Sequence, residues 1–162
     1  MQKLGFVKCH ANVKMPVQQH KGDAGFDVHM WQNLKSSAGD NPTSVTLYAG
    51  DCAIIDTGLI PCIPKGYVLK LYARSGLAIK HGIVLTNQVG IIDQSYQGNL
   101  MVCLTRLSNC GEEGFTLSRG DRIAQFCLEV STADDVELVE VTSAGFVSSR
   151  GVGGVGSTGV RE

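Results

Sequence analysis

Residues 82–107 read GIVLTNQVGIIDQSYQGNLMVCLTRL. Two runs rich in Val, Ile and Leu, each of strand length, enclose a polar centre. The reading is a strand carrying Asn87 that runs into Gly90, Ile91, Ile92 and Asp93, turns over 94–98, and returns through Leu100 and Met101. Apolar stretches of the same kind recur outward from it: GFVKCHANV (5–13), DCAIIDTGLIPCI (51–63), GYVLKLYAR (66–74), DRIAQFCLEV (121–130) and VELVEVT (136–142). Most are bounded by Gly, Pro, Asp or Asn, the residues that punctuate strands. The best helix candidate, residues 75–81, is interrupted by Gly76 and followed by Gly82, so no amphipathic helix is expected. Many short strands predict an all-β domain, a barrel or jelly roll. Residues 35–44 (KSSAGDNPTS) read as a polar surface loop between strands.

With 162 residues, 43% of them hydrophobic, the chain is most simply one domain. Such a domain buries roughly 70% of its extended-chain surface. A net charge of −1 argues against a nucleic-acid-binding surface, which needs a basic stripe. No run approaches the roughly 20 apolar residues that span a bilayer, and MQKLGFVKCHANVKMP lacks the apolar stretch of a leader. The six cysteines form no CxxC pair and sit among apolar neighbours, so they read as reduced core thiols. The expected location is intracellular and cytoplasmic, or inside a host cell for a viral protein. His10, His20, His29 and His81 show no metal-ligand spacing.

Five stretches carry polar groups that a β core does not need. AGFDVHM places Asp27 after a small pair, and ARSGLAIKHG places Arg74, Ser75 and Gly76 at a strand exit. An Arg-Ser-Gly turn offers a guanidinium, a hydroxyl and an approachable N–H, all suited to phosphate oxygens. It also reads as an ordinary solvated turn. In the third stretch, Asn87 and the strand backbone can imitate a base edge. Tyr96 offers a flat face, and Asp93 a carboxylate able to hold water. Equally, Asp93 starts a turn and Tyr96 packs. RGDRIAQFCLEV interrupts apolar positions with Arg122 and Gln125; a buried arginine needs a partner, and Asp27 is a candidate. The fifth, RGVGGVGSTG (150–159), is either a disordered Gly/Ser terminus or a nest of backbone N–H groups for an anion pinned by Arg150. Its GVGGVG lacks the strand-to-helix setting of a dinucleotide fingerprint.

In this order and spacing the five stretches resemble the five motifs of the trimeric deoxyuridine triphosphatases, over residues 22–159. The resemblance implies a distorted, β-clip-like jelly-roll subunit (1–145), a flexible glycine-rich arm (146–162) and a homotrimer. Active sites would lie at subunit junctions: motifs one, two and four from one copy, motif three from a second, the arm from a third. It implies Asp93 as the carboxylate that activates water. Asn87 with the backbone of Ile91, Ile92 and Met101 would read uracil, and Tyr96 would lie under deoxyribose and leave no room for a 2′-hydroxyl. Arg74, Ser75, Gly76 and Gln125 would hold phosphates, and Arg150, Val155, Gly156 and Ser157 would close over them. Asp27 and Arg122 would organise the site. The implied reaction is Mg²⁺-dependent hydrolysis of dUTP to dUMP and diphosphate, limiting uracil incorporation into DNA and supplying the dTMP precursor. Mg²⁺ would be held by phosphate oxygens and waters rather than by protein ligands.

Three departures stand out. Val155 occupies the position of the family's usual aromatic, where base–aromatic stacking is worth roughly 1–3 kcal/mol. That predicts weaker substrate capture or a looser arm. Ser95 stands where many relatives have a second acid, and the 35–44 loop is longer than usual. The related dCTP deaminases need a glutamate after the hairpin, but 100–107 reads LMVCLTRL. A regulatory or interaction protein on the same scaffold is the other alternative.

Overall fold

The computed structural model describes residues 2–36 and 43–143, together with Gly145 and Gly151. Most of the polar loop and the site residues expected at Arg150, Val155, Gly156 and Ser157 lie outside the described residues. Among the described residues twelve strands form in chain order. They are β1 (Gly5–Lys8), β2 (Phe26–His29), β3 (Gln32–Ser36), β4 (Ser44–Leu47), β5 (Cys52–Asp56), β6 (Leu59–Cys62) and β7 (Tyr67–Tyr72), then β8 (Ile83–Leu85), β9 (Gly90–Ile92), β10 (Met101–Arg106), β11 (Phe115–Ser118) and β12 (Arg122–Val130).

Two four-stranded antiparallel sheets, β2-β12-β7-β9 and β3-β5-β10-β8, are accompanied by the pairs β1-β6 and β11-β4. This is the all-β jelly-roll class read from the sequence. The core joins inward positions of both large sheets: Val28, Leu69, Leu71 and Phe126 from one, Ile55, Leu85, Val102 and Leu104 from the other. Period two does the sorting. Along β10, Val102, Leu104 and Arg106 are buried while Met101, Cys103 and Thr105 are only partly covered. No helix of the described residues is long and apolar enough to cross a membrane.

Five expectations need correction. First, residues 75–81 do form a helix, α1 (Ser75–His81). Its glycines serve it: Gly76 lies in the first turn with open space around it, and Gly82 is the left-handed C-cap (φ 66°), its N–H returning to Ala78 O at 3.0 Å. Lys80 and His81 in the last turn suit the negative end of the helix dipole.

Second, Asn87 sits in a turn rather than on a strand, and the expected hairpin is split between sheets. β8 and β10 pair with each other, but β9 between them crosses to β7. Gln88 makes the change of direction with a positive φ of 62°. Third, none of the six cysteines is in the core and none is in a disulfide, with Cys9, Cys52 and Cys62 exposed and the rest half-buried. Strand alternation turns Cys103 outward between Val102 and Leu104, a placement that apolar neighbours in sequence conceal. Fourth, residues 136–142 form no strand: Val136, Leu138, Val139 and Val141 are exposed and have no ladder to join. Fifth, Lys35, Ser36 and Ser44, read as loop, end β3 and begin β4.

Candidate nucleotide site

Asp27 on β2 is the focus of the first half of the site. Its register partner on β12 is Gln125, and Arg122 starts the same strand opposite His29. Arg74 stands at the head of α1, just past the end of β7. Arg74 Nε donates to Asp27 Oδ1 at 2.9 Å, and Arg122 Nη1 donates to Asp27 Oδ2 at 3.1 Å. The Asp27 side chain is only 10% exposed, and each of its oxygens is matched by one guanidinium. Arg74 Nη1 also donates to Arg122 O at 3.1 Å. The pairing of Arg122 with Asp27 read from sequence is present, with Arg74 as a second partner.

Gln125 Nε2 donates to Ala73 O at 3.0 Å, tying β12 to the strand exit. Gly25 is where this amide presses in: a Cβ there would stand 2.9 Å from Gln125 Oε1. That close approach explains the small pair before Asp27. These groups line one open cleft of about 470 Å³ holding Asp27, Arg74, Ser75, Gly76, Arg122 and Gln125. The first α1 backbone bond runs from Ala78 N–H to Arg74 O, so the N–H groups of Ser75 and Gly76 precede the helix ladder. Two cations, a hydroxyl and open backbone donors around a neutralised carboxylate make a cleft for an anion.

The second half lies at the opposite edge of the same sheet. Ile91 and Ile92 are on β9, with Ile91 opposite Lys70 and 64% exposed. Asp93 follows and lines a groove with Val68, Gln94, Ser95 and Asp134. Tyr96 donates its hydroxyl to Asn99 O at 2.8 Å, and its ring lies on Gly98, where a Cβ would meet the hydroxyl oxygen at 2.5 Å. Met101 opens β10, and the Asn87 amide lies beside Gly90.

The sequence reading missed what braces this loop. Asn99 Nδ2 donates at 2.9 Å to Asp56 Oδ2, a buried carboxylate that also accepts from the Gly58 N–H (2.7 Å) and Gln32 (3.2 Å). Gln94 accepts from the Gly66 N–H at 3.0 Å and donates to Asp134 at 3.3 Å. The polar triplet Asp-Thr-Gly at 56–58, at the centre of an apolar run, was the available signal.

The two halves do not meet within one chain. Asp27 and Asp93 are separated by three strand spacings, about 14 Å, and by four residues along the strands, roughly another 14 Å.

Comparison with known proteins identifies the family. The sequence profile of the family described as dUTPase matches residues 11–159. A deoxyuridine 5′-triphosphate nucleotidohydrolase of Wolinella succinogenes is 38% identical over 157 residues, covering 97% of this chain and 94% of its own. One of Rhizobium johnstonii is 39% identical, covering 90% and 85%. Among solved structures, a mutant dUTPase of Staphylococcus bacteriophage 80alpha with dUpNHpp superposes with a TM-score of 0.80 at 27% identity, over 99% of this chain and 100% of that one. A profile match over most of the chain, close relatives over nearly its whole length and a β architecture superposable on such an enzyme converge, and the chain belongs to the dUTPase family.

Proposed function

We propose that this protein hydrolyses dUTP to dUMP and diphosphate, in sites assembled between copies of the chain. The observation that carries the reading is the cleft at Asp27, where one chain gathers Arg74, Ser75, Gly76, Arg122 and Gln125 around an anion-sized space. The triphosphate lies there. Uracil lies on the loop of a second copy, its edge read by Asn87 and by the backbone of Ile91, Ile92 and Met101. Tyr96, held by Asn99, packs under the deoxyribose and excludes a 2′-hydroxyl. Cytosine would leave buried donors and acceptors mismatched, which is the strong form of discrimination.

Asp93 from the second copy orients a water and takes its proton as the oxygen attacks the α-phosphorus. The bond to the bridging oxygen breaks, and diphosphate leaves carrying the negative charge. Arg74, the Ser75 and Gly76 amides and Gln125 offset that charge where it develops. General-base assistance supplies about 10²–10⁴-fold, and positioning the remainder. Residues 146–162 act as an arm, with Arg150, Val155, Gly156 and Ser157 closing over the terminal phosphates.

Among the described residues no group of three His, Cys, Asp or Glu converges as a metal cage, and Asp27 is occupied by its arginines. Mg²⁺ would be held there by triphosphate oxygens and waters. Bound there, it would neutralise phosphate charge that otherwise repels Asp93.

The same geometry supports assembly from several copies, which we take to be a homotrimer: Asp93 is roughly 20 Å from Asp27 in one chain, so a complete site needs a second copy. The exposed apolar residues of 136–141 and Ile91 give such copies surface to bury. The experiment is turnover of dUTP, dCTP, dTTP and UTP with Mg²⁺, beside mass determination. Selective dUTP cleavage by a trimer is expected. Equal rates on all four nucleotides, or a monomer, would refute the reading.

A further inference from the structure

Beyond Asp27, β2 carries His29, and this residue belongs to a different cavity. The cavity measures about 240 Å³ and its wall includes Asn12, Lys14, His29, Trp31, Thr57 and Arg119. Lys14 Nζ donates to Gly120 O at 3.2 Å, and Arg119 Nε donates to Trp31 O at 2.7 Å. The Arg119 guanidinium lies 4.2 Å above the Trp31 ring, on which His10 also stacks. Among the described residues neither cation has a carboxylate at ion-pair distance. The adjacent acid, Asp121, turns its carboxylate onto the Ser118 N–H at 2.8 Å. Thr57 is already committed, donating its hydroxyl to Leu100 O.

His29 is a second, independent observation. It is only 9% exposed, and its Nδ1 is buried with no hydrogen-bond partner. Burial, then the charge of Lys14, lowers its pKa from the ordinary histidine value. Asp27 pulls the other way, but its carboxylate is shared between Arg74 and Arg122. The cavity therefore presents two unneutralised cations and a buried, incompletely satisfied imidazole, with no acid on its wall. An unpartnered buried polar atom is costly unless something completes it.

We propose that this cavity binds a small inorganic oxyanion of the phosphate class, at a site separate from the nucleotide cleft. Its volume suits one tetrahedral anion with water and falls below the range typical of sites for larger organic ligands. Lys14 supplies a point charge, the Arg119 Nη groups a planar fork, and Asn12 an amide donor. Anion binding restores charge balance beside His29 and offsets the Lys14 charge that disfavours its protonated form. None of this depends on the hydrolysis reading.

The test is equilibrium dialysis of inorganic phosphate against the wild-type protein, Lys14→Met and Lys14→Arg, with the ¹⁵N signals of the His29 ring followed in parallel. Lys14 is exposed, so both variants should fold, and both should keep wild-type dUTP turnover. Lys14→Met is expected to lose one phosphate per chain, its affinity at the cavity falling about tenfold or more. Lys14→Arg should retain that phosphate, and only proteins retaining it should show a phosphate-dependent His29 shift. If the cavity holds and the cleft reading fails, the wild type binds one equivalent and Lys14→Met none. Equal phosphate counts in all three proteins, with His29 unmoved, would overturn the proposal.

Discussion

The two edges of the sheet β2-β12-β7-β9 are built on opposite principles. At the β2 edge Asp27 is nearly sealed, both its oxygens held by arginines, while Gln125 is fastened to Ala73 and pressed against Gly25. At the β9 edge Ile91 is 64% exposed and Asp93 opens onto a groove; the Tyr96 turn beside it is fixed through Asn99 and Asp56, and Gln94 through Gly66 and Asp134. One edge is finished within the chain. The other presents its chemistry outward, ready to meet another copy. The contrast fits the energetics: a polyphosphate cleft gains from preorganised donors, whereas a water-activating carboxylate must reach a substrate held elsewhere.

Substitutions can break this contrast from either side. The largest effect belongs to Asp93→Asn, which should lower kcat by about 10²–10⁴ with Tm unchanged, because among the described residues no hydrogen bond or ion pair holds that carboxylate. Steady-state kinetics with a melting curve checks both parts. Asp27→Asn should behave in the reverse sense, lowering stability by roughly 1–3 kcal/mol as two guanidinium groups lose their charged acceptor. It should also weaken substrate capture, readable as a raised KM alongside a lower denaturation midpoint. Tyr96→Phe removes the hydroxyl bond to Asn99 and should cost about 0.5–1.5 kcal/mol. The preference for dUTP over UTP should narrow as the ring loosens.

The smallest effect is expected on the outer face of the sheet, where Glu129 accepts from Lys70 at 2.7 Å and from Tyr72 at 2.8 Å. Those two hydrogen bonds, the one from Lys70 first, hold the Glu129 pKa below the ordinary carboxylate value of 4.5. The folded state therefore favours the ionised form. Its contribution is present above pH 4.5 and disappears as pH falls through the depressed value. Tm profiles of wild type and Glu129→Gln should run slightly apart at neutral pH and converge in acid.

Much of this was legible in the sequence because alternation and punctuation act locally. Strand-length apolar runs such as GYVLKLYAR and DRIAQFCLEV became β7 and β12, and the polar interruptions at Asp27, Arg74, Arg122 and Gln125 came together. What escaped depended on context. A glycine at 82 reads as a breaker until the backbone shows it capping a helix with φ 66°. Cys103 reads as core because pattern alone does not say which face of a strand is inward. The crossing of β9 to another sheet, and the Asp56 brace beneath Tyr96, rest on contacts between residues far apart in the chain. Residues 136–142 have a strand's sequence without a strand's partner in one chain.

The central claim is that Asp93 and the Arg74 cleft act on the same substrate from different copies. Mixing Asp93→Asn chains with Arg74→Gln chains, after dissociation and reassembly, tests it most directly. Each variant alone should be nearly inactive, and in random equal mixtures about a quarter of the sites should pair an intact cleft with an intact Asp93. Recovery toward a quarter of wild-type dUTP turnover is the predicted result. Activity no greater than the sum of the two separate variants would contradict the account.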